Sequence, residues 1–246
     1  MPRRVNCQLC KKSFGCKQIY VHYAVCIAEK YTQEYSGHYV VSFLSRGMCN
    51  NQYYIYAIIN PKTTFATIDN YLRNKWLNCC GHLSNFECEK KQISKRATFK
   101  TYADKDIIYE YDMGSTTTIY MQKSILIKSD KEPLKTTYLH NVLQNDPFKF
   151  NCKICDKPAS YHDGVYQFVC ETHKDKADNY LLTQIVNSPR MGERCFDGDY
   201  LRDITFKQNY VALQDRFSSL NVDSDDSWET YENSDSSETG EITDIL

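Results

Sequence analysis

No stretch of the 246-residue chain has the roughly 18 consecutive apolar residues that a membrane-crossing helix needs. Tyr53–Ile59, seven residues, is one of its longer unbroken apolar runs. The opening Met-Pro-Arg-Arg-Val-Asn-Cys has no apolar region behind its arginines, which argues against a secretory signal. Glycine (9) and proline (6) are scarce, and 41% hydrophobic content excludes collagen, coiled coil and wholesale disorder. Neither a P-loop nor a glycine-rich dinucleotide turn is present. His38, His82 and His140 are scattered, with no acid spaced for a catalytic triad or a catalytic zinc motif. Cysteine, by contrast, is abundant at 12 residues. Without an export signal, that number points to a reducing, intracellular setting, cytoplasmic or nuclear, where thiols persist as metal ligands or buried small hydrophobes.

The net charge of −1 conceals a division along the chain. Residues 217–246 hold nine acids and no base, so the preceding body is +8 and the tail −9. Residues 1–30 carry six bases (Arg3, Arg4, Lys11, Lys12, Lys17, Lys30) against the single acid Glu29. That density suits a polyanion such as nucleic acid and equally describes a solvated basic surface.

Four segments emerge: 1–31, 32–147, 148–216 and 217–246. In the second, His38–Leu44 and Gln52–Asn60 are rich in Tyr, Val and Ile and predict half-buried strands. Thr67 is a candidate N-cap for a helix whose apolar residues Ile68, Leu72, Trp76 and Cys79 recur at helical spacing, with Gly81 as its stop. Ala97–Tyr102 and Ile107–Tyr111 read as strands, and Asp112–Ser115 turns the latter back into Thr117–Lys128. These patterns predict an α+β domain, mostly antiparallel. Ser, Asp, Glu and Thr dominate 218–246, a composition that predicts a disordered acidic tail.

Two cysteine groups carry the chemistry. Cys7-x2-Cys10 precedes His22-x3-Cys26 by eleven residues. A two-residue gap makes a knuckle with converging thiolates, and His22 and Cys26, at i and i+4, share a helix face, which completes a tetrahedral zinc site. Phe14 and Ile19 supply the small core, and Cys16 stands outside the pattern. Cys152-x2-Cys155 and Cys170-x2-His173 enclose fourteen residues centred on the turn signal Asp163-Gly164, setting two knuckles at the base of a hairpin in a zinc-ribbon arrangement. Cys152-Lys-Ile-Cys155 does not open a helix after a strand, so a redox dithiol is poorly supported. His162, beside the turn, is expected in solvent. Four protein ligands leave no place for water, which makes both sites structural.

Residues 7–26 resemble the Cys-Cys-His-Cys finger family, whose members fold a knuckle and one helix around zinc and bind nucleic acid or protein. A second resemblance covers roughly 40–196, in the phrases Trp76–Ser84, Tyr109–Thr117, Val142–Pro147, Cys152–Ala159 and Val186–Gly192. They look like a family of uncharacterised microbial proteins with a zinc-ribbon end, and the Tyr-Asp-x-Gly turn is similar to that of the Ri-plasmid open-reading-frame-three-like domain. The resemblance implies a compact α+β domain joined to a metal-binding knuckle and no established activity. Met191-Gly-Glu-Arg-Cys195 is one residue longer than the Met-Gly-x-Cys of the relatives, so Cys195 is given no role.

The sequence therefore predicts a zinc-binding protein with ligands Cys7, Cys10, His22, Cys26, Cys152, Cys155, Cys170 and His173, non-enzymatic, with a protein or nucleic-acid partner and no membrane. The alternative is a thiol- or metal-dependent enzyme centred on Cys79, Cys80 and His82, with Cys88 nearby. Against it, these thiols follow the carboxyl end of a helix, where the dipole disfavours a thiolate.

Overall fold

The computed structural model describes residues 4–79, 81–130, 132, 138–163, 167–177, 182–193 and 196. They fall in a unit spanning Met1–Asp203; a second unit, Ile204–Leu246, lies outside the described residues, and with it the acidic tail expected at 217–246. A two-stranded ribbon of β1 (Arg4–Asn6) and β2 (Ser13–Gly15) leads into helix α1 (Gln18–Lys30). The main sheet starts with β3 (Tyr39–Arg46) and β4 (Gln52–Ile59), is interrupted by α2 (Phe65–Leu72), and is completed by β5 (Ser84–Cys88), β6 (Lys91–Gln92), β7 (Ile107–Tyr111), β8 (Thr117–Met121), β9 (Ile125–Leu126) and β10 (Leu139–Gln144). Its order is β10-β4-β3-β8-β7-β5-β6, with β9 on β3, and every pairing is antiparallel. Three short strands, β11 (Tyr161–His162), β12 (Phe168–Val169) and β13 (Thr183–Gln184), form a separate antiparallel sheet in the order β12-β11-β13. Mostly antiparallel sheet with few helices is what the alternating patterns predicted.

Because strand side chains alternate between faces, the apolar run of β4 serves two cores at once. Ile55, Ala57 and Ile59 join Val41 and Phe43 in a core covered by α2, with Phe65, Ile68, Leu72, Trp76, Phe86, Tyr109 and Ile119. Tyr56 and Ile58 join Val40 on the other face, where Ile19, Tyr23 and Ile27 of α1 pack against them. The Tyr56 hydroxyl donates to the Tyr20 carbonyl at 2.6 Å. The Cys7–Cys26 module is therefore built onto the sheet, and its core extends beyond Phe14 and Ile19. The spacing of the cysteines could not reveal this, because Tyr23 and Ile27 become core residues only through strands that come later in the chain.

Four local expectations change. The cap of α2 is Thr64, whose hydroxyl accepts from the Thr67 amide at 3.3 Å, and the helix passes at Arg73 into a π-helical turn ending at Leu77. Gly81, with φ of 80°, follows that turn and does not close the helix directly. Residues Phe99–Tyr102 form a 3-10 turn, because the Phe99 and Lys100 amides bond the Thr63 and Pro61 carbonyls and not a neighbouring strand. His162 is 2% exposed, its ring 2.8 Å from the Thr183 hydroxyl on the adjacent strand. Burial lowers its pKa, so the neutral ring is the form held there.

From β13 the chain runs back as a strap to the main sheet. Asn187 and Asn145 exchange two hydrogen bonds (2.8 and 3.0 Å), and the Ser188 hydroxyl donates to the Trp76 carbonyl at 2.6 Å. Arg190, 0% exposed, donates to the Ser115 carbonyl (2.9 Å) and Thr117 Oγ1 (3.2 Å) and pairs with the Asp112 carboxylate.

Candidate metal centres

At the first centre, the β1–β2 ribbon supplies the knuckle and α1 the other two donors. The Cys7 amide bonds the Lys12 carbonyl (2.8 Å), the Lys11 amide bonds the Cys7 carbonyl (2.9 Å), and Lys11 takes a left-handed φ of 64°. This tight turn aims the amides of Leu9 and Cys10 at Cys7 Sγ, both at 3.4 Å. His22 Nε2 lies 3.2 Å from Cys10 Sγ, and its ring stacks on Phe14 with centroids 3.8 Å apart. The second centre repeats the same turn. Cys152 N bonds Lys157 O (2.7 Å), Asp156 N bonds Cys152 O (2.9 Å), and Asp156 has φ of 56°. Cys155 Sγ and Cys170 Sγ are 3.7 Å apart, and His173 Nδ1 is 3.5 Å from both Cys152 Sγ and Cys170 Sγ.

In each group, Cys7, Cys10, His22 and Cys26, or Cys152, Cys155, Cys170 and His173, all four donor atoms lie within 4.8 Å of one another, so each can hold a metal ion. The left-handed residue after the second cysteine is a signal the sequence hides, since glycine is the usual occupant of that conformation and here Lys11 and Asp156 adopt it. The thiols are not equivalent. Burial pushes Cys26 up to about 12, with the neighbouring Cys7 and Cys10 sulfurs adding to it. The Lys12 amide chiefly lowers Cys10. Burial also opposes ionisation of Cys152, but the amides of Cys170, Ile154 and Cys155 and the His173 ring outweigh it and bring the thiol to about 5. At Cys155 the Lys157 amide is outweighed by burial and the sulfurs of Cys170 and Cys152, and the pKa rises. Each group thus sets a thiol whose ionisation is favoured, Cys10 or Cys152, beside one whose ionisation is opposed, Cys26 or Cys155, which fits a metal-thiolate centre.

Among the described residues no third group of this kind exists. Cys79 Sγ lies 3.9 Å from the Tyr111 hydroxyl, while His82 Nε2 lies 3.6 Å from Asp112, itself committed to Arg190. Cys88 is buried at the far end of β5, and Cys80 is outside the described residues. The structure does not assemble Cys79 and His82 into a triad or an open metal site.

A polar cluster that sequence reasoning missed lies beside α2. Asp69 accepts from Arg73 Nε (3.0 Å), Ser84 Oγ (2.7 Å), Lys95 Nζ (2.9 Å) and the Tyr109 hydroxyl (2.7 Å). Burial opposes its ionisation, yet these donors outweigh burial and hold it below the ordinary carboxylate range. Ser84 also accepts from Arg73 (2.6 Å) and Lys95 (2.8 Å). Asp69 and Ser84 take up every one of these donors, so the cluster ties α2 to β5, β7 and Lys95. Tyr109→Phe removes one donor to a buried carboxylate, and equilibrium denaturation should show a loss of about 1.5–3 kcal/mol; an unchanged midpoint would mean that water replaces the hydroxyl.

No family model matches the chain, and no curated protein matches it. Among solved structures it is similar to a protein of unknown function from Methanosarcina mazei Go1, at 14% identity and a TM-score of 0.31, over 50% of this chain and 66% of that one. That description names no activity.

Proposed function

We propose that the chain is a zinc protein with two structural sites, acting as a non-enzymatic module that binds another protein. The observation that carries this reading is the closure of both centres: three sulfurs and one imidazole nitrogen within 4.8 Å in each, with no protein position left for water. Soft thiolates with one imidazole suit zinc among the common divalent ions. In this reading residues 7–26 are a Cys-Cys-His-Cys finger, residues 152–173 a zinc ribbon, and residues 40–196 a relative of the uncharacterised microbial zinc-ribbon proteins and the Ri-plasmid domain. The ten described cysteines are thiols and not disulfides, as in a reducing intracellular compartment.

The outward face of α1 favours a protein partner over DNA. It presents Gln18, Val21 (64% exposed), Val25 (40% exposed) and Glu29. Valine has no donor or acceptor with which to read a base edge, and neither arginine nor lysine stands between Gln18 and Glu29. Arg4 is held on Ser13, and Lys11 on the Gln8 carbonyl. Two exposed valines one turn apart, in a segment that also exposes Lys12 and Lys17, fit an acidic partner with an apolar patch.

Elemental analysis of protein purified without added metal should give about two zinc ions per chain, released with proton uptake on acidification as thiolates and imidazoles protonate. A content near zero with all thiols titratable overturns the reading.

A further inference from the structure

The ladder between β3 and β8 contains only Phe43↔Met121 and Leu44↔Tyr120. Beyond Leu44 the strands part, although each stays paired on its other side, β3 with β4 and β8 with β7. The Ser45 hydroxyl reaches across to the Thr118 carbonyl at 2.7 Å, and the strap wedges in beside it, with Pro189 against Gly47 and Arg190 donating to Thr117. Gly47 makes this wedge possible: a Cβ there would stand 2.6 Å from the Tyr53 ring and 2.8 Å from the Pro189 backbone.

What remains is a cleft of about 390 Å³, lined by Arg46, Gly47, Met48, Thr116–Thr118, Tyr120 and the strap residues Pro189, Met191, Gly192 and Glu193. Strand alternation from the Leu44↔Tyr120 pair places Arg46, Thr116, Thr118 and Tyr120 on one face of the sheet, opposite the core that holds Phe43 and Met121. Tyr120 is 52% exposed, an aromatic ring left in solvent beside a guanidinium and a row of hydroxyls. Donors dominate the lining, and Glu193 is its one acid among the described residues.

Two further donors stand directly behind this wall. Tyr53 and Arg190 are fully buried, yet the Tyr53 hydroxyl and Arg190 Nε have no hydrogen-bond partner among the described residues. The Tyr53 ring abuts Gly47, and Arg190 lies between the lining residues Pro189 and Met191 while donating to Thr117. Burial raises the Tyr53 pKa and keeps its hydroxyl protonated.

A donor-rich cleft asks for an acceptor-rich ligand, and an exposed ring asks for a flat one. The size is at the lower end of the ~300–1,000 Å³ typical of small-molecule sites. We propose that this cleft binds a nucleoside monophosphate, the phosphate on Arg46 and the threonine hydroxyls, the base against Tyr120, and Glu193 accepting from the ribose. This site is separate from both metal centres and lacks the P-loop and dinucleotide turn, so sequence motifs could not reveal it.

The test is calorimetric titration of the full zinc-loaded chain with adenosine 5′-monophosphate and uridine 5′-monophosphate, beside inorganic phosphate, adenosine and a single-stranded dodecanucleotide. Saturable binding of a monophosphate is expected, weakened about tenfold or more by Tyr120→Ala and by Arg46→Ala. Both residues are exposed, and the zinc content and melting midpoint of the variants should match the parent. No saturation by about 1 mM, or saturation untouched by both substitutions, overturns the proposal. Phosphate alone binding as tightly as the nucleotide overturns the ligand class. Tighter binding of the dodecanucleotide per nucleotide overturns the assignment to a free mononucleotide in favour of single-stranded nucleic acid.

Discussion

On the zinc reading proposed above, Cys26→Ser is expected to release one metal ion and to lower the stability of the main sheet along with the Cys7–Cys26 module. Cys26 lies on α1, whose Ile19, Tyr23 and Ile27 share a core with Val40, Tyr56 and Ile58 of β3 and β4. A structural zinc ion contributes on the order of 10–16 kcal/mol to folding, which equals or exceeds the roughly 5–15 kcal/mol by which a whole domain is stable. If α1 loosens, the apolar face of β3 and β4 that it covers is exposed to water, and each buried Ile or Tyr there forfeits about 1.5–3 kcal/mol. Amide exchange at Val40, Tyr56 and Ile58 should accelerate in the variant, and the thermal midpoint of the whole chain should fall. Exchange confined to residues 4–31, with the sheet amides unchanged, would falsify the coupling and make residues 4–31 a detachable module.

The cysteine spacings were legible because a metal site is specified by few residues at short separations. A knuckle needs a gap of two, a helical pair needs i and i+4, and both centres assemble on those terms. The strands of the main sheet were legible for a related reason, since a half-buried strand writes its faces as a period of two, as Ile107–Tyr111 does with alternating burial. Long-range partners were not legible. Nothing near Asp69 announces that Ser84, Lys95 and Tyr109 will converge on its carboxylate, and nothing near Val40 and Ile58 says that a finger helix will cover them. The 3-10 turn at Phe99–Tyr102 was misread as a strand because its apolar and aromatic residues pack against Phe65 and Tyr39 from a loop. Composition gives the burial of such residues, and only topology gives their conformation.

The strap gives the clearest case of sequence phrases that make sense only together. Val186–Gly192 touches three of the other four phrases that carried the family resemblance. Ser188 bonds Trp76, Asn187 bonds Asn145, and Arg190 bonds Asp112, Ser115 and Thr117. Read singly they are unremarkable loop text, while in the structure they form one junction that fastens the three-stranded sheet's exit to the main sheet. The same junction builds a wall of the β3–β8 cleft.

That junction predicts a large effect for Arg190→Ala. The substitution leaves Asp112 without its guanidinium partner and opens a cavity under Tyr111, over whose ring the Arg190 guanidinium sits at 5.0 Å. Breaking a buried ion pair from one side costs about 3–5 kcal/mol, and for a chain of this size that lowers the melting midpoint by roughly 10 °C. The pH dependence separates this loss from metal release. Hydrogen bonding to Arg190 chiefly holds Asp112 at about 2, below the ordinary carboxylate value near 3.9. A depressed carboxylate contributes stability that is fully present above its unfolded pKa and is lost as pH falls through the folded one. The gap between parent and Arg190→Ala should therefore hold steady from pH 8 to about 5 and narrow only below about 4. Metal-dependent stability, which relies on neutral imidazoles and ionised thiols, should decline earlier, between about pH 6 and 5. His82 stands 3.6 Å from Asp112, so the comparison is made in a His82→Gln background as well. A gap that already narrows between pH 7 and 5 in both backgrounds would place the linkage on the metal centres and remove Asp112 as its source. A double-mutant cycle with Asp112→Ala then isolates the pair: if Asp112→Ala adds nothing to the loss from Arg190→Ala, the two charges act as one anchor for the strap.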